Sequence, residues 1–174
     1  KERERERERE NENEREREIR EIKDKRKEES KIPFLVVGKH DVNSFGNHLK
    51  NKFKDHKHIR FLGGIYNLNV LNNLRYYSNL YFHGHSVGGT NPSLLEAMSS
   101  KALIVANDNQ FNKSILKSNA FYFSSPEDVK NYLDNFTKKE HSDKVENCFN
   151  DIEKHYSWDI INNEYLNFFC ECKK

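Results

Sequence analysis

Residues 80–98, LYFHGHSVGGTNPSLLEAM, contain the succession of elements that decides the fold: a strand, a loop of small residues and a helix. The apolar start of this stretch predicts a strand. Asn91-Pro92 predicts the start of a helix, with asparagine as N-cap and proline at the first helical position. Backbone N–H groups and the positive end of the helix dipole meet at such a start, which favours an anion-binding site. Gly88 and Gly89 allow a ligand to approach the backbone closely or allow a positive φ.

Three ionisable side chains flank this loop. Glu96 lies a little more than one turn into the predicted helix, where a carboxylate suits the hydroxyl groups of a sugar better than a phosphate. An anion loop next to a carboxylate therefore suggests a nucleotide-sugar site. His83 and His85 share a face of an extended chain, and each is expected to contact phosphate or to make a structural hydrogen bond. Neither is expected to bind a metal, because no third and fourth ligand stand at a familiar spacing.

Apolar runs alternate with helix-like segments from Pro33 onward. Strands are predicted at residues 34–38, 59–63, 80–82, 102–106 and 120–123, and helices at 45–53, 69–77, 92–99, 111–116, from 125 onward, 142–154 and 157–170. The first and fourth strands are expected to be buried, as their apolar composition indicates. The alternation predicts an α/β fold with a Rossmann-like, doubly wound parallel sheet and right-handed crossovers. Ligands of such sheets bind at the carboxyl ends of the strands, where the loop of residues 84–91 lies.

Other polar residues near this edge have two interpretations. Asn107-Asp108-Asn109 follows the fourth strand, so Asp108 is a candidate for ligand contact, but an Asx-type turn explains the three residues equally well. Lys39 and Arg75 are candidate phosphate partners, and a role at the surface is the more ordinary expectation for each.

The first 31 residues differ in composition from the rest. Residues 1–31 hold 13 Lys or Arg and 13 Asp or Glu, with no apolar side chain before Ile19. Such a segment cannot bury a core. We expect a charged low-complexity leader, disordered or a frayed helix, preceding a Rossmann-like domain over residues 32–174.

The composition of the chain limits which classes of partner are expected. The 174 residues have a formal net charge of +2, so neither nucleic acid nor an anionic membrane surface is expected as a partner. No apolar run approaches the roughly 20 residues that a transmembrane helix needs. The three cysteines (Cys148 alone, and Cys170 and Cys172 as C-x-C) fit reduced thiols of a cytoplasmic protein better than a disulfide framework or a zinc site.

Three segments together closely resemble bacterial rhamnosyltransferases of glycosyltransferase family four, which have the GT-B fold. These segments are Gly63–Tyr66, Leu71–Ser78 and the long run His83–Met98, and Asn107–Asn112 adds to them. The similarity covers about residues 32–169 and falls within the C-terminal, donor-binding half of such enzymes. It implies a retaining hexosyl- or rhamnosyltransferase without a metal or other cofactor, with dTDP-rhamnose as the expected donor and a saccharide acceptor in polysaccharide biosynthesis.

The resemblance also assigns roles to residues. Two glutamates separated by seven residues mark the donor site in the wider family, and the second, which holds the ribose hydroxyls, matches Glu96. The first falls on Gly88, so that role is absent here or is taken by His85 or Thr90. The amides of residues 88–91, including Gly89 and Asn91, would hold the diphosphate and sugar. The resemblance identifies no catalytic residue.

Two departures from the family pattern shape the functional expectation. A complete enzyme has an N-terminal acceptor-binding domain, and its donor domain begins with a strand and a basic pair facing the diphosphate. The charged leader occupies that place in this sequence. We therefore expect nucleotide-sugar binding with weak or absent turnover by this chain alone, and peripheral membrane association only through a partner or a lipid-linked acceptor. The alternatives are a non-catalytic fragment that acts as a binding module or completes a split enzyme, and a pseudoenzyme whose leader mediates assembly.

Overall fold

The computed structural model describes residues 32–172, so the prediction for the charged leader lies outside the described residues. The contacts divide the chain into two compact units, Lys1–Ile65 and Tyr66–Lys174, named here the N-terminal and the C-terminal unit. Each unit is described by itself. The predicted domain boundary at residue 32 stays a prediction.

The described part of the N-terminal unit, residues 32–65, contains two parallel strands and one helix. Its elements are β1 (Phe34–Val37), α1 (Ser44–Phe53) and β2 (Ile59–Gly63), with Phe34 opposite Ile59 in the register. The prediction that β1 is buried is wrong, since its side chains are exposed except for the half-buried Val36. Two strands and one helix are too small a set to enclose an apolar core.

The C-terminal unit carries a three-stranded parallel sheet in the order β3-β4-β5. Its strands are β3 (Tyr81–His83), β4 (Ile104–Asn107) and β5 (Phe121–Phe123). Its helices are α2 (Leu68–Tyr77), α3 (Pro92–Ser99), α4 (Gln110–Leu116), α5 (Pro126–Asn135), a 3₁₀ turn (Lys138–His141), α6 (Ser142–His155) and α7 (Trp158–Glu171). All strand pairs are parallel, as the strand–helix alternation predicts.

Local sequence signals account for where the helices begin. Asn91 caps α3 by accepting a hydrogen bond from the Ser93 N–H, and Pro92 occupies the first helical position. Ser125 and Asp128 form a capping box at α5, in which each side chain accepts from the backbone of the other. A hydrogen bond from the Ser124 backbone N–H, and secondly the hydrogen bonds of Ser125, hold the pKa of the Asp128 carboxyl below its usual value. The start of α3, on which the site depends, is therefore encoded locally.

The apolar core of the C-terminal unit lies around β4 and α3. Ile104, Val105 and Ala106 are almost completely buried, which confirms the prediction for the fourth strand. Leu94 and Met98, on one face of α3, are fully buried in the same cluster. Burial of this face fixes the helix, and with it the end of the loop that precedes it.

A Leu94→Ala variant tests how much this face stabilises the unit. We expect its free energy of unfolding to fall by about 2–5 kcal/mol, because the substitution leaves a cavity among fully buried neighbours. Urea unfolding followed by circular dichroism measures the change. The exposed Leu166 provides the control with the same chemistry, since Leu166→Ala is expected to change stability by no more than about 0.5 kcal/mol. Equal changes in the two variants would contradict the assignment of the core.

Candidate functional site

The candidate site is the loop between β3 and α3, residues 84–91, together with the side chains that hold it. We call residues 84–91 the site loop. It leaves β3 after His83 and ends at Asn91, the N-cap of α3. All of its residues before Asn91 are exposed.

The backbone amides around the start of α3 fall into two groups. Pro92 has no N–H, the Ser93 N–H donates to the Asn91 side chain at 3.0 Å, and the N–H groups of Leu94 and Leu95 donate to the Asn91 carbonyl. The first turn of the helix thus satisfies its own donors. Among the described residues, no acceptor pairs with the amides of residues 88–91. Any anion bound here must therefore use the loop amides rather than those of the helix.

The two loop glycines differ in conformation. Gly88 has φ = +124°, a value that L side chains rarely adopt, which confirms that a positive φ is needed at one of these positions. Gly89 has no such φ, and a Cβ atom placed on it would meet no atom within 4 Å. Gly88 is therefore required by the backbone, whereas Gly89 leaves open space beside the chain.

Two asparagines at the start of α4 hold the site loop by hydrogen bonds. The side-chain amides of Asn109 and Asn112 both donate to the His85 carbonyl, at 3.0 and 3.2 Å. Asn109 is also the N-cap of α4, accepting from the Asn112 N–H at 2.9 Å. Asn112 is almost completely buried. The Asx-type interpretation of Asn109 is correct, and the same side chain gives the loop its fixed position.

The imidazole rings of His83 and His85 stack on each other. Their centroids are 4.7 Å apart with an interplanar angle of 23°, so the two side chains share a face, as expected. His83 is only 2% exposed, and its Nε2 atom has no hydrogen-bond partner among the described residues. Burial, and secondly the neighbouring His85, lower the pKa of His83 to about 4. Near neutral pH the ring is therefore uncharged and holds one unused polar atom.

Glu96 forms an ion pair with Arg75, for which the sequence favours a role at the surface. That expectation is wrong, because the Arg75 side chain is only 5% exposed. Its Nη2 atom lies 2.7 Å from Glu96 Oε2, and its Nη1 atom donates to Asn72 Oδ1 at 3.0 Å. Nothing in the local sequence indicates that an arginine in the helix before a predicted strand is buried. Arg75 becomes buried through tertiary contacts, among them the packing of α2 against α3.

Asp108, Lys39 and Thr90 are the remaining candidates. Asp108 follows β4 and pairs with Lys113, which lies one turn further along in α4. Lys39 is exposed and belongs to the N-terminal unit. Thr90 is exposed within the site loop. Residues 32–172 contain no group of three His, Cys, Asp or Glu side chains placed to hold a metal ion. They also include no helix long and apolar enough to cross a bilayer.

The chain matches no protein-family model and no curated protein. Among solved structures it is similar to the crystal structure of the pneumococcal O-GlcNAc transferase GtfA in complex with UDP and GlcNAc. The TM-score is 0.52 at 15% sequence identity, and the match covers 86% of this chain and 31% of that chain. The chain thus spans about a third of the length of the transferase. This likeness shows the fold, which is that of a Rossmann-like half of a GT-B protein.

The pH dependence of stability tests the burial of His83. Between pH 6.5 and about 4 the unfolded chain binds a proton at this residue and the folded chain does not. The free energy of unfolding therefore has its full value above pH 6.5, and it decreases by about 3 kcal/mol as the pH falls toward 4. Urea unfolding at several pH values should show a flatter dependence for His83→Gln than for the wild type. His155→Gln, at an exposed position, is the control and should keep the wild-type slope. A wild-type slope in His83→Gln would contradict the burial of this ring.

Proposed function

We propose that the chain is a donor-binding domain for a nucleotide-diphosphate sugar. The observation that carries the proposal is the site loop, whose unpaired amides at residues 88–91 lie between a strand end and a helix that bears Glu96. Backbone amides in a fixed loop suit a diphosphate, because they supply several donors without a reorganisation of the backbone. The likeness in fold to a transferase whose crystal structure contains UDP and GlcNAc supports the same class of ligand.

Each part of the ligand has a proposed partner. The diphosphate accepts hydrogen bonds from the amides of residues 88–91, and the ribose hydroxyls donate to the Glu96 carboxylate. His83 is buried with its Nε2 atom unpartnered among the described residues, and the exposed His85 ring stacked beside it is the proposed partner for a phosphate oxygen of the ligand. The first acidic residue of the family pattern is replaced by Gly88, whose positive φ a glutamate would rarely adopt. His85 or Thr90 is left to take its role.

The reaction class follows from the same proposal. The sugar would pass to a saccharide acceptor with retention of configuration, and the nucleoside diphosphate would leave into the donors of the site loop. Rhamnose and dTDP rest on the sequence resemblance alone, as does a role in polysaccharide biosynthesis. No described residue is assigned as catalytic.

Calorimetric titration with dTDP-, UDP- and GDP-sugars tests donor binding. Glu96→Gln is the informative variant, because glutamine still accepts a hydrogen bond from Arg75 whereas alanine would leave a buried guanidinium unpaired. We expect affinity to fall about tenfold or more, since a hydrogen bond to a charged group contributes about 1.5–3 kcal/mol.

Gly89→Ala is the second variant in that titration. A methyl group here strains neither the backbone nor a neighbour, so stability should change by less than about 1 kcal/mol. It projects into the open space beside the loop and should weaken binding of the diphosphate. Lys130→Ala, on the surface helix α5, serves as the control for both variants. If the wild-type chain bound none of the three nucleotide sugars, the proposed function would be wrong.

A second candidate function is a non-catalytic binding module that pairs with a separate acceptor-binding chain. The observation that favours it is the composition of α7, which presents five large exposed apolar side chains: Trp158, Tyr165, Leu166, Phe168 and Phe169. Large apolar side chains exposed on one helix commonly mark a surface for another protein domain.

Release of the nucleoside diphosphate from a bound donor tests how much transferase activity the chain has by itself. We expect the purified chain to bind the donor and to release the diphosphate far more slowly than enzymes usually do, because residues 32–172 hold one Rossmann-like half only. Chromatography of donor and product over several hours measures this rate. Turnover at an ordinary enzymatic rate, about 1 per second or faster, would contradict the expectation.

A further inference from the structure

The Arg75–Glu96 pair is asymmetric in its exposure to solvent. The arginine is 5% exposed, whereas the glutamate side chain is 41% exposed. The guanidinium carbon lies 5.9 Å from the centre of the Tyr81 ring, at the start of β3. The positive charge is thus inside the C-terminal unit and the carboxylate is at its surface.

The contacts leave one oxygen of the carboxylate available. Glu96 Oε2 is held by Arg75 Nη2 at 2.7 Å. No hydrogen bond to Glu96 Oε1 is present among the described residues. A glutamate side chain alone has three freely rotating bonds, and ordering them costs free energy when a ligand binds. A fixed Oε2 removes most of that freedom before the ligand arrives.

The contribution of Arg75 to stability does not by itself explain why a buried arginine occupies this position. Its Nε atom is buried and has no hydrogen-bond partner among the described residues. A buried donor of this kind lowers stability, and a buried ion pair is often no better than apolar packing. The pair joins α2 to α3 while leaving one buried donor of Arg75 unpartnered among the described residues, and a functional role for the carboxylate accounts for this arrangement.

We propose that Arg75 is a positioning residue, which holds Glu96 Oε2 so that Oε1 is presented to the ribose hydroxyls of the bound nucleotide. This inference rests on the proposed function, and it assigns Arg75 a role through Glu96 instead of a direct contact with phosphate. The guanidinium contacts the carboxylate through Nη2 and Asn72 through Nη1. A lysine ammonium would offer a point charge without this fixed geometry.

The test compares a nucleoside diphosphate with its 2′,3′-dideoxy form, which lacks both ribose hydroxyls. The nucleotide is the one among UDP, dTDP and GDP that binds the wild-type chain most tightly. For dTDP, whose sugar already lacks the 2′-hydroxyl, the comparison removes the 3′-hydroxyl alone. The ratio of the two affinities measures the contribution of the hydroxyls. We expect a ratio of about ten or more for the wild type, close to one for Arg75→Met, and an intermediate value for Arg75→Lys. In the Glu96→Gln background, Arg75→Met should cause no further loss of this ratio.

Two matched variants separate positioning from a general effect on stability. Arg75→Met should fold, since the carboxylate that it leaves behind is half in solvent and methionine fills apolar space. Val145→Ala removes buried volume in α6 and should lower stability without changing the affinity ratio.

The outcomes are distinct. If Arg75→Met weakens the ribonucleotide and the dideoxynucleotide equally, Arg75 contacts phosphate or is merely structural, and the inference is overturned. A wild-type ratio of one overturns it as well, because Glu96 then does not bind ribose. If the wild type binds no nucleotide, the proposed function itself fails, and the inference fails with it.

Discussion

Burial of one face of α3 is the constraint on which the rest of the C-terminal unit depends. Leu94, Ala97 and Met98 are fully buried in the cluster that includes β4 and α6. Because this helix cannot shift without exposing them, its N-terminus and the last residues of the site loop have a fixed place. The solvent-facing side of the same helix is then free to carry Glu96. A single packed helix therefore supports both the core and the candidate site.

Hydrogen bonds from polar side chains fix the other end of the loop. Asn109 and Asn112 donate to the His85 carbonyl, and α4 holds both asparagines in position. A loop held at both ends can keep amides unpaired without collapsing onto itself, which is the condition for a binding site that exists before its ligand arrives. The ion pair with Arg75 likewise restricts the Glu96 side chain before a ligand binds. The site is thus arranged by residues that would not touch the ligand themselves.

Much of this arrangement can be predicted from local sequence. The extent of α3, its Asn91 cap and the parallel pairing of the strands agree with the pattern of apolar runs, since caps and periodicity act over a few residues. The requirement for glycine at residue 88 also agrees. The burial of β1 was not predicted correctly, because burial depends on how many elements cover a strand and not on its own composition. The assignment of Glu96 and the loop amides to a ligand stays a prediction.

The sequence by itself determined the order and type of the elements, the helix start after the site loop and the set of candidate polar residues. Tertiary structure alone decided which of those residues meet. Arg75 and Glu96 are 21 positions apart, and His85 and Asn112 are 27 positions apart. Neither contact therefore produces a periodic pattern in the sequence. The physical reason is that local propensities act over one or two helical turns, whereas the environment of a charge is set by elements that meet only when the core forms.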